Sequence, residues 1–261
     1  MRITYIGHAT VLLELDGLRI LTDPLLRDRL GPLRRHGPSP DVAALRGLDA
    51  VLVSHAHPDH FDRPSLRLVA DAARFVVPDG LGARAGRLAP GAIVTETHAG
   101  AATEIGGLRV TAVRARHWRW PAAPRVRTLG FLLEGSLGVY FAGDTGAFPE
   151  MEHLRGRVDV ALLPIGRWGP HRGPNRLEPT SAARVAHLVG ARIAIPVHWG
   201  TFYPRGFERL WPRPLREPPE RFVAAAAREA PGVDVRVLQP GEMTVVSMDK
   251  RTQSSENRPN D

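Results

Sequence analysis

Six residues, His55-Ala56-His57-Pro58-Asp59-His60, constrain this chain more than any others. The apolar run at residues 51–53 reads as a buried strand and delivers them at its end. His55 and His57 are two apart, so on an extended backbone they point to the same side. Pro58 ends the strand and bends the chain, which aims Asp59 and His60 at a second point beside the first. Imidazole and carboxylate are donors that Zn²⁺, Mn²⁺ and Fe all accept. His55, His57, Asp59 and His60 are too many ligands for one open catalytic ion. The spacing therefore predicts two divalent ions side by side, with zinc the first expectation and manganese or iron the alternatives.

The chain has no Cys, so thiolates are excluded as ligands and disulfides as staples. Other donors must come from later in the sequence. Three further strand-like runs each end in one: His117, Asp144 and His198. His55, His57 and His117 are expected to hold one ion, and Asp59, His60 and His198 the other. Asp144 is expected to bridge, since a carboxylate has two oxygens to share. His8 and Asp23 also fall at strand ends, where a side chain can orient a ligand imidazole through its second nitrogen.

The remaining elements surround these ends. Asp16-Gly17 between apolar runs predicts a hairpin. Helices are expected from Pro64 to about residue 73, from Pro179 to residue 189, and over residues 221–228. Residues 27–40 hold four Arg, three Pro and two Gly and read as a long irregular loop, as do residues 167–174. Both loops leave strands that end beside the proposed ions. Arg34, Arg35 and Arg172 are thus expected to rim the site and clamp an anionic substrate. His171 and Trp118 are candidates for the same rim. No linker divides residues 1–249, which are read as one domain. Residues 250–261 are polar and aperiodic and read as a disordered tail.

The net charge of +8 raises the question of an anionic partner. Its carriers are nearly all Arg, Lys250 being the only Lys, and they are spread along the chain without a basic block. No specific nucleic-acid partner is expected. No apolar run is long enough to span a bilayer, and no leader-like segment opens the sequence, so a cytoplasmic protein is expected.

Three motifs in order, His55-Ala56-His57-Pro58-Asp59-His60, Phe141-Ala142-Gly143-Asp144-Thr145-Gly146 and Pro196-Val197-His198-Trp199-Gly200, resemble those of the metallo-β-lactamase superfamily. Gly7-His8-Ala9-Thr10, Leu21-Thr22-Asp23-Pro24, Arg116-His117-Trp118 and Leu163-Pro164-Ile165-Gly166 resemble the branch holding N-acyl-phosphatidylethanolamine phospholipase D and L-ascorbate-6-phosphate lactonase. The resemblance covers roughly residues 2–203. It implies an α/β fold, a four-layer αββα sandwich, with the metals where the two sheets meet. It implies a hydrolase in which a hydroxide between two ions attacks a phosphodiester, lactone or related ester, with Asp59 and Asp144 as the acidic groups of the reaction. One departure stands out: the branch often carries His-x-Asp-Pro before its late helix, and here the run is Arg176-Leu177-Glu178-Pro179. Two other readings of the same scaffold are a non-catalytic metal-binding or redox-sensing module and a nuclease. Metal analysis with ester turnover separates the first, and a long nucleic-acid substrate the second.

Overall fold

The computed structural model describes residues 1–166 and 174–247. Two seven-stranded sheets dominate it. From edge to edge the first runs Met243–Val245, Arg2–Gly7, Thr10–Leu15, Leu18–Thr22, Ala50–Leu52, Arg74–Pro78 and Ile93–Thr97. The second runs Asp234–Val235, Ile193–Val197, Val160–Pro164, Gly138–Phe141, Leu129–Glu134, Leu108–Arg114 and Ala102–Ile105. Each sheet is parallel in one half and antiparallel in the other.

Alternation along the strands explains the layering. In the first sheet Leu13, Ile20, Leu52 and Val76 face one way and join Phe131, Phe141, Leu162 and Ile195 of the second in a core between the sheets. Their neighbours Leu12, Leu21, Val51 and Phe75 face the other way, onto helices Arg63–Leu68 and Gly82–Leu88. The outer face of the second sheet is covered by Pro179–Leu188, through Ala182, Val185 and Ala186, and by Pro218–Glu229, through Phe222, Ala225 and Ala226. Strands covered on both faces must be apolar at every position, which is why Val160–Pro164 and Ile193–Val197 are buried throughout. The result is the four-layer αββα sandwich.

The Asp16-Gly17 turn forms as the sequence predicts, with both residues at positive φ, 54° and 82°. The helix at Pro64 is shorter than expected: it spans Arg63–Leu68, capped by Asp62, whose carboxylate accepts from the Ser65 amide. Residues 27–40 are only in part the irregular loop the composition suggests. Arg29–Leu30 and Leu33–Arg35 form a small hairpin, and Phe202–Pro204 adds a third strand to it. The pairing Arg35↔Phe202 joins distant parts of the chain, which local composition cannot show. The predicted tail lies outside the described residues.

Candidate metal centre

The direction of the strands gathers the donors. Arg2–Gly7 and Leu18–Thr22 flank an antiparallel neighbour and so run the same way, and Ala50–Leu52 is parallel to the latter. Their ends deliver His8, Asp23 and the His55–His60 motif. In the second sheet Leu108–Arg114, Gly138–Phe141 and Ile193–Val197 share a direction by the same reasoning, and their ends deliver His117, Asp144 and His198. Ends of strands running one way form one rim, the usual seat of a site in such sheets. Gly143, just before Asp144, has φ of 58°, and a Cβ there would lie 2.7 Å from the Leu129 carbonyl. Only glycine lets the chain turn there and place the carboxylate.

Two groups of donors result. His55 Nε2 is 2.9 Å from His57 Nδ1, which is 3.2 Å from His117 Nε2. Behind them, His55 Nδ1 meets the Ser54 hydroxyl at 2.9 Å and His117 Nδ1 meets the Asn175 carbonyl at 3.1 Å. The second group comprises His60, His198, Asp59 and His8. His60 Nε2 lies 3.3 Å from His198 Nε2, and both lie 3.6 Å from Asp59 Oδ2. Asp144 spans the two groups, with Oδ2 3.4 Å from His117 Nε2 and Oδ1 3.4 Å from His198 Nε2.

Asp23 is the support behind both groups. Its Oδ2 accepts from His60 Nδ1 at 2.6 Å and from the Ser54 hydroxyl at 2.5 Å, while its Oδ1 accepts from the Ser54 amide. The Ser54 hydroxyl, committed as donor to Asp23, accepts from His55 Nδ1. One buried carboxylate therefore fixes His60 directly and His55 through a hydroxyl, leaving Nε2 of each facing the centre. His8 Nε2 meets Asp59 Oδ2 at 3.0 Å, and the His8 carbonyl accepts from the His198 amide at 2.7 Å. His8, Asp23 and His198 have φ of 58°, 32° and 58°. Such a backbone costs about 1–3 kcal/mol per residue and gathers where a site needs it.

Charge follows from burial and neighbours. Burial would lift the carboxyls of Asp144 and Asp59, but the surrounding imidazoles hold both well below the ordinary range. Burial works against a charged His60, yet Asp59, Asp144 and Asp23 outweigh it and push its pKa up to about 10. Burial, helped by a neighbouring imidazole, lowers His8 to about 3 and His57 to about 4. Burial also lowers His55 and His117. Near pH 7 Asp59 and Asp144 are thus ionised and His8, His55, His57 and His117 neutral, the states in which such groups bind metal, while His60 carries a proton that a bound cation would displace. Ring nitrogens that face one another at 2.9 to 3.3 Å can share at most one proton per contact. The donor set fits divalent cations.

The family model described as "Beta-lactamase superfamily domain" matches residues 18–199. The chain belongs to the metallo-β-lactamase superfamily. A UPF0173 metal-dependent hydrolase of Methanopyrus kandleri is 32% identical, covering 93% of this chain and 98% of its own. An N-acyl-phosphatidylethanolamine-hydrolyzing phospholipase D of Caenorhabditis elegans is 31% identical, covering 81% of this chain and 67% of its own. Among solved structures, a metallo hydrolase of Ignicoccus hospitalis has the same fold, with a TM-score of 0.71 at 24% identity over 95% of this chain and 99% of that one. As a member of this superfamily the chain is a metal-dependent hydrolase, and its His/Asp cluster is able to bind metal.

On this metallo-β-lactamase scaffold the outer candidates fall out differently. Arg35 does not rim the site: it is buried, its guanidinium donates to the Leu25 and Ile6 carbonyls, and it lies 4.9 Å from the Phe202 ring. It ties the small hairpin to the strand that carries His8. Arg34, its neighbour on the hairpin, is exposed. Trp118 is 58% exposed beside His117. Trp199 packs inward with its indole N–H on the Pro196 carbonyl, whereas Trp120 stands 5.6 Å from the His57 ring. His171 and Arg172 lie outside the described residues. Arg176 stands near His117 and, after burial, helps lower its pKa. Sequence reading missed Ser54 and the Asn175 carbonyl. A hydroxyl next to the first candidate His, opposite an Asp at a neighbouring strand end, was a usable signal for Ser54. A backbone carbonyl leaves none.

Proposed function

We propose that the chain uses two divalent ions, zinc in the first instance, to hydrolyse a phosphodiester, lactone or related ester of a small molecule in the cytoplasm. His55, His57 and His117 would hold one ion, Asp59, His60 and His198 the other, with Asp144 shared. The observation that carries this reading is the position of Asp144, whose two oxygens each lie 3.4 Å from a ligand nitrogen of a different group. When bound, two such ions supply Lewis acidity and a nucleophile formed from water near neutral pH.

The chain's own residues supply the rest. Asp23 and Ser54 hold the His60 and His55 rings with Nε2 toward the centre. His8 is neutral at pH 7, so its Nε2–H donates to Asp59 Oδ2 and fixes the carboxylate. Asp59, ionised and with 19% of its side chain exposed, is the carboxylate placed to accept a proton released as the ester is attacked and pass it on. The absence of Cys supports a reducing compartment.

The test is a panel of phosphodiesters, lactones and thioesters assayed with Zn²⁺, Mn²⁺ and Fe²⁺, alongside elemental analysis. Two ions per chain and metal-dependent turnover are expected. A ceiling of one ion in excess metal overturns the dinuclear reading, and full loading without turnover of any ester overturns the hydrolytic one.

A further inference from the structure

On the flank of the metal motif lies a cavity of about 630 Å³. Two short helices build it. Arg63 and Arg67, four apart on Arg63–Leu68, line it from one side, and Arg84 and Arg87, three apart on Gly82–Leu88, from the other. At these spacings each pair shares one helix face. Arg27 is the fifth arginine in the lining. The one carboxylate there, Asp62, is already committed: it meets the Arg27 guanidinium at 2.7 Å and caps the first helix.

Arg63, Arg67, Arg84 and Arg87 therefore converge without a carboxylate within ion-pair distance among the described residues. Like charges gathered around a hollow repel, and an anion of high charge relieves them. Guanidinium forks match phosphate oxygens in pairs. The rest of the lining is apolar, with Phe61, Leu88 and Trp120. The hollow also adjoins the metal centre: Ala56 and Pro58, on either side of the ligand His57, line it, and the Trp120 ring stands edge-on to His57.

We propose that this hollow binds a phosphate monoester group carried by the substrate, remote from the bond that is cleaved. The proposal rests on the hydrolytic reading of the metal centre and names its substrate class: a phosphorylated ester whose apolar part passes Trp120. A non-reacting phosphate held there contributes binding that the reaction can use.

Two double variants test it, Arg84→Gln with Arg87→Gln, and Arg63→Gln with Arg67→Gln. All four side chains are exposed, and circular dichroism with elemental analysis checks that fold and metal content are kept. The probe is glycerol 3-phosphate, titrated calorimetrically into metal-loaded and metal-free protein. Binding is expected in both forms, since the hollow does not need the ions, with Kd rising about tenfold or more in each variant. In kinetics, the preference in kcat/KM for a phosphorylated ester over its dephosphorylated counterpart is expected to collapse by a similar factor. Vesicles of phosphatidylcholine with and without phosphatidic acid separate the two sources of such a group: variant-sensitive sedimentation marks a lipid headgroup, and its absence a soluble phosphoester. Equal affinity for glycerol 3-phosphate in wild type and both variants overturns the proposal. If the wild type hydrolyses no ester, the reading of the metal centre fails, and the titration still decides the hollow.

Discussion

His57 is half exposed, and the rings of its group are steadied by neutral partners, the Ser54 hydroxyl on His55 and the Asn175 carbonyl on His117. His60 and His198 are buried, as are the rings of His55 and His117. His60 is paired with the Asp23 carboxyl group at 2.6 Å, and His198 is held by a backbone bond to His8, both His8 and His198 at positive φ. The same residue types thus make one group with soft support and one with charged support and a strained backbone. Strain that persists must be over-determined by its surroundings. Rigidity, and with it tight metal binding, should accordingly belong to the His60–His198 group, and exchange to the His57 side.

The most severe break removes the residue common to both. Asp144→Ala is expected to lose metal from both groups and hydrolysis to background, read by elemental analysis and ester turnover. Next come the single ligands. His117→Ala should empty the His55–His57 group and leave the His60–His198 group loaded, whereas His198→Ala should do the reverse. If both variants lose metal equally, the groups are not separable sites. Asp23→Asn keeps the shape and weakens the charge behind His60. It should cost about 10–100-fold in metal affinity, the usual loss when a partner behind a ligand is changed. Because Asp23 meets His60 directly and His55 only through Ser54, most of that loss falls on the His60–His198 side.

The metal-free protein offers a pH test of the same contrast. His60 has a folded pKa of about 10, above the value of about 6.5 for a free imidazole, so its contribution to stability is full below about 6.5 and is lost as pH rises toward that folded value. His8 and His57 are depressed, to about 3 and about 4. They contribute fully above about 6.5 and lose it as pH falls toward those values. Thermal melts of chelated protein should therefore peak near neutrality. Asp23→Asn should reduce the alkaline arm in part, because His60 creates it and Asp59 and Asp144 still face that ring.

The smallest effects are on the hairpin. Arg35→Met leaves the buried Leu25 and Ile6 carbonyls without their donor and is expected to cost about 1–3 kcal/mol in chemical denaturation. Exposed Arg34→Gln should stay within about 0.5 kcal/mol. The pair separates support of the His8 strand from simple surface charge.

This contrast was only half legible in the sequence. Apolar runs ending in His55, His117, Asp144 or His198 are local patterns, and they mark strands and donors without help from the fold. Which donors would be deep, and what stands behind them, depends on contacts between distant segments: Asp23 on His60, His8 on Asp59, Phe202–Pro204 against Leu33–Arg35. Arg35 shows the limit most clearly. Its neighbours read as loop composition, and only the partner strand turns the side chain inward.

The first sheet ends with Met243–Val245 paired to Arg2–Gly7, Ile3 opposite Thr244, and the Met1 amino group bonded to the Val246 carbonyl. Almost the whole chain lies between these partners. A ribosome therefore releases the strand that carries His8 long before the strand that covers its edge exists. Until then that edge offers unpaired amides and carbonyls to any passing strand. Closing so long a loop is slow, and the exposure is longest in the most crowded setting. The strand that carries His8 gains its second edge partner only when Met243–Val245 arrives, although every candidate metal donor has been made by residue 198.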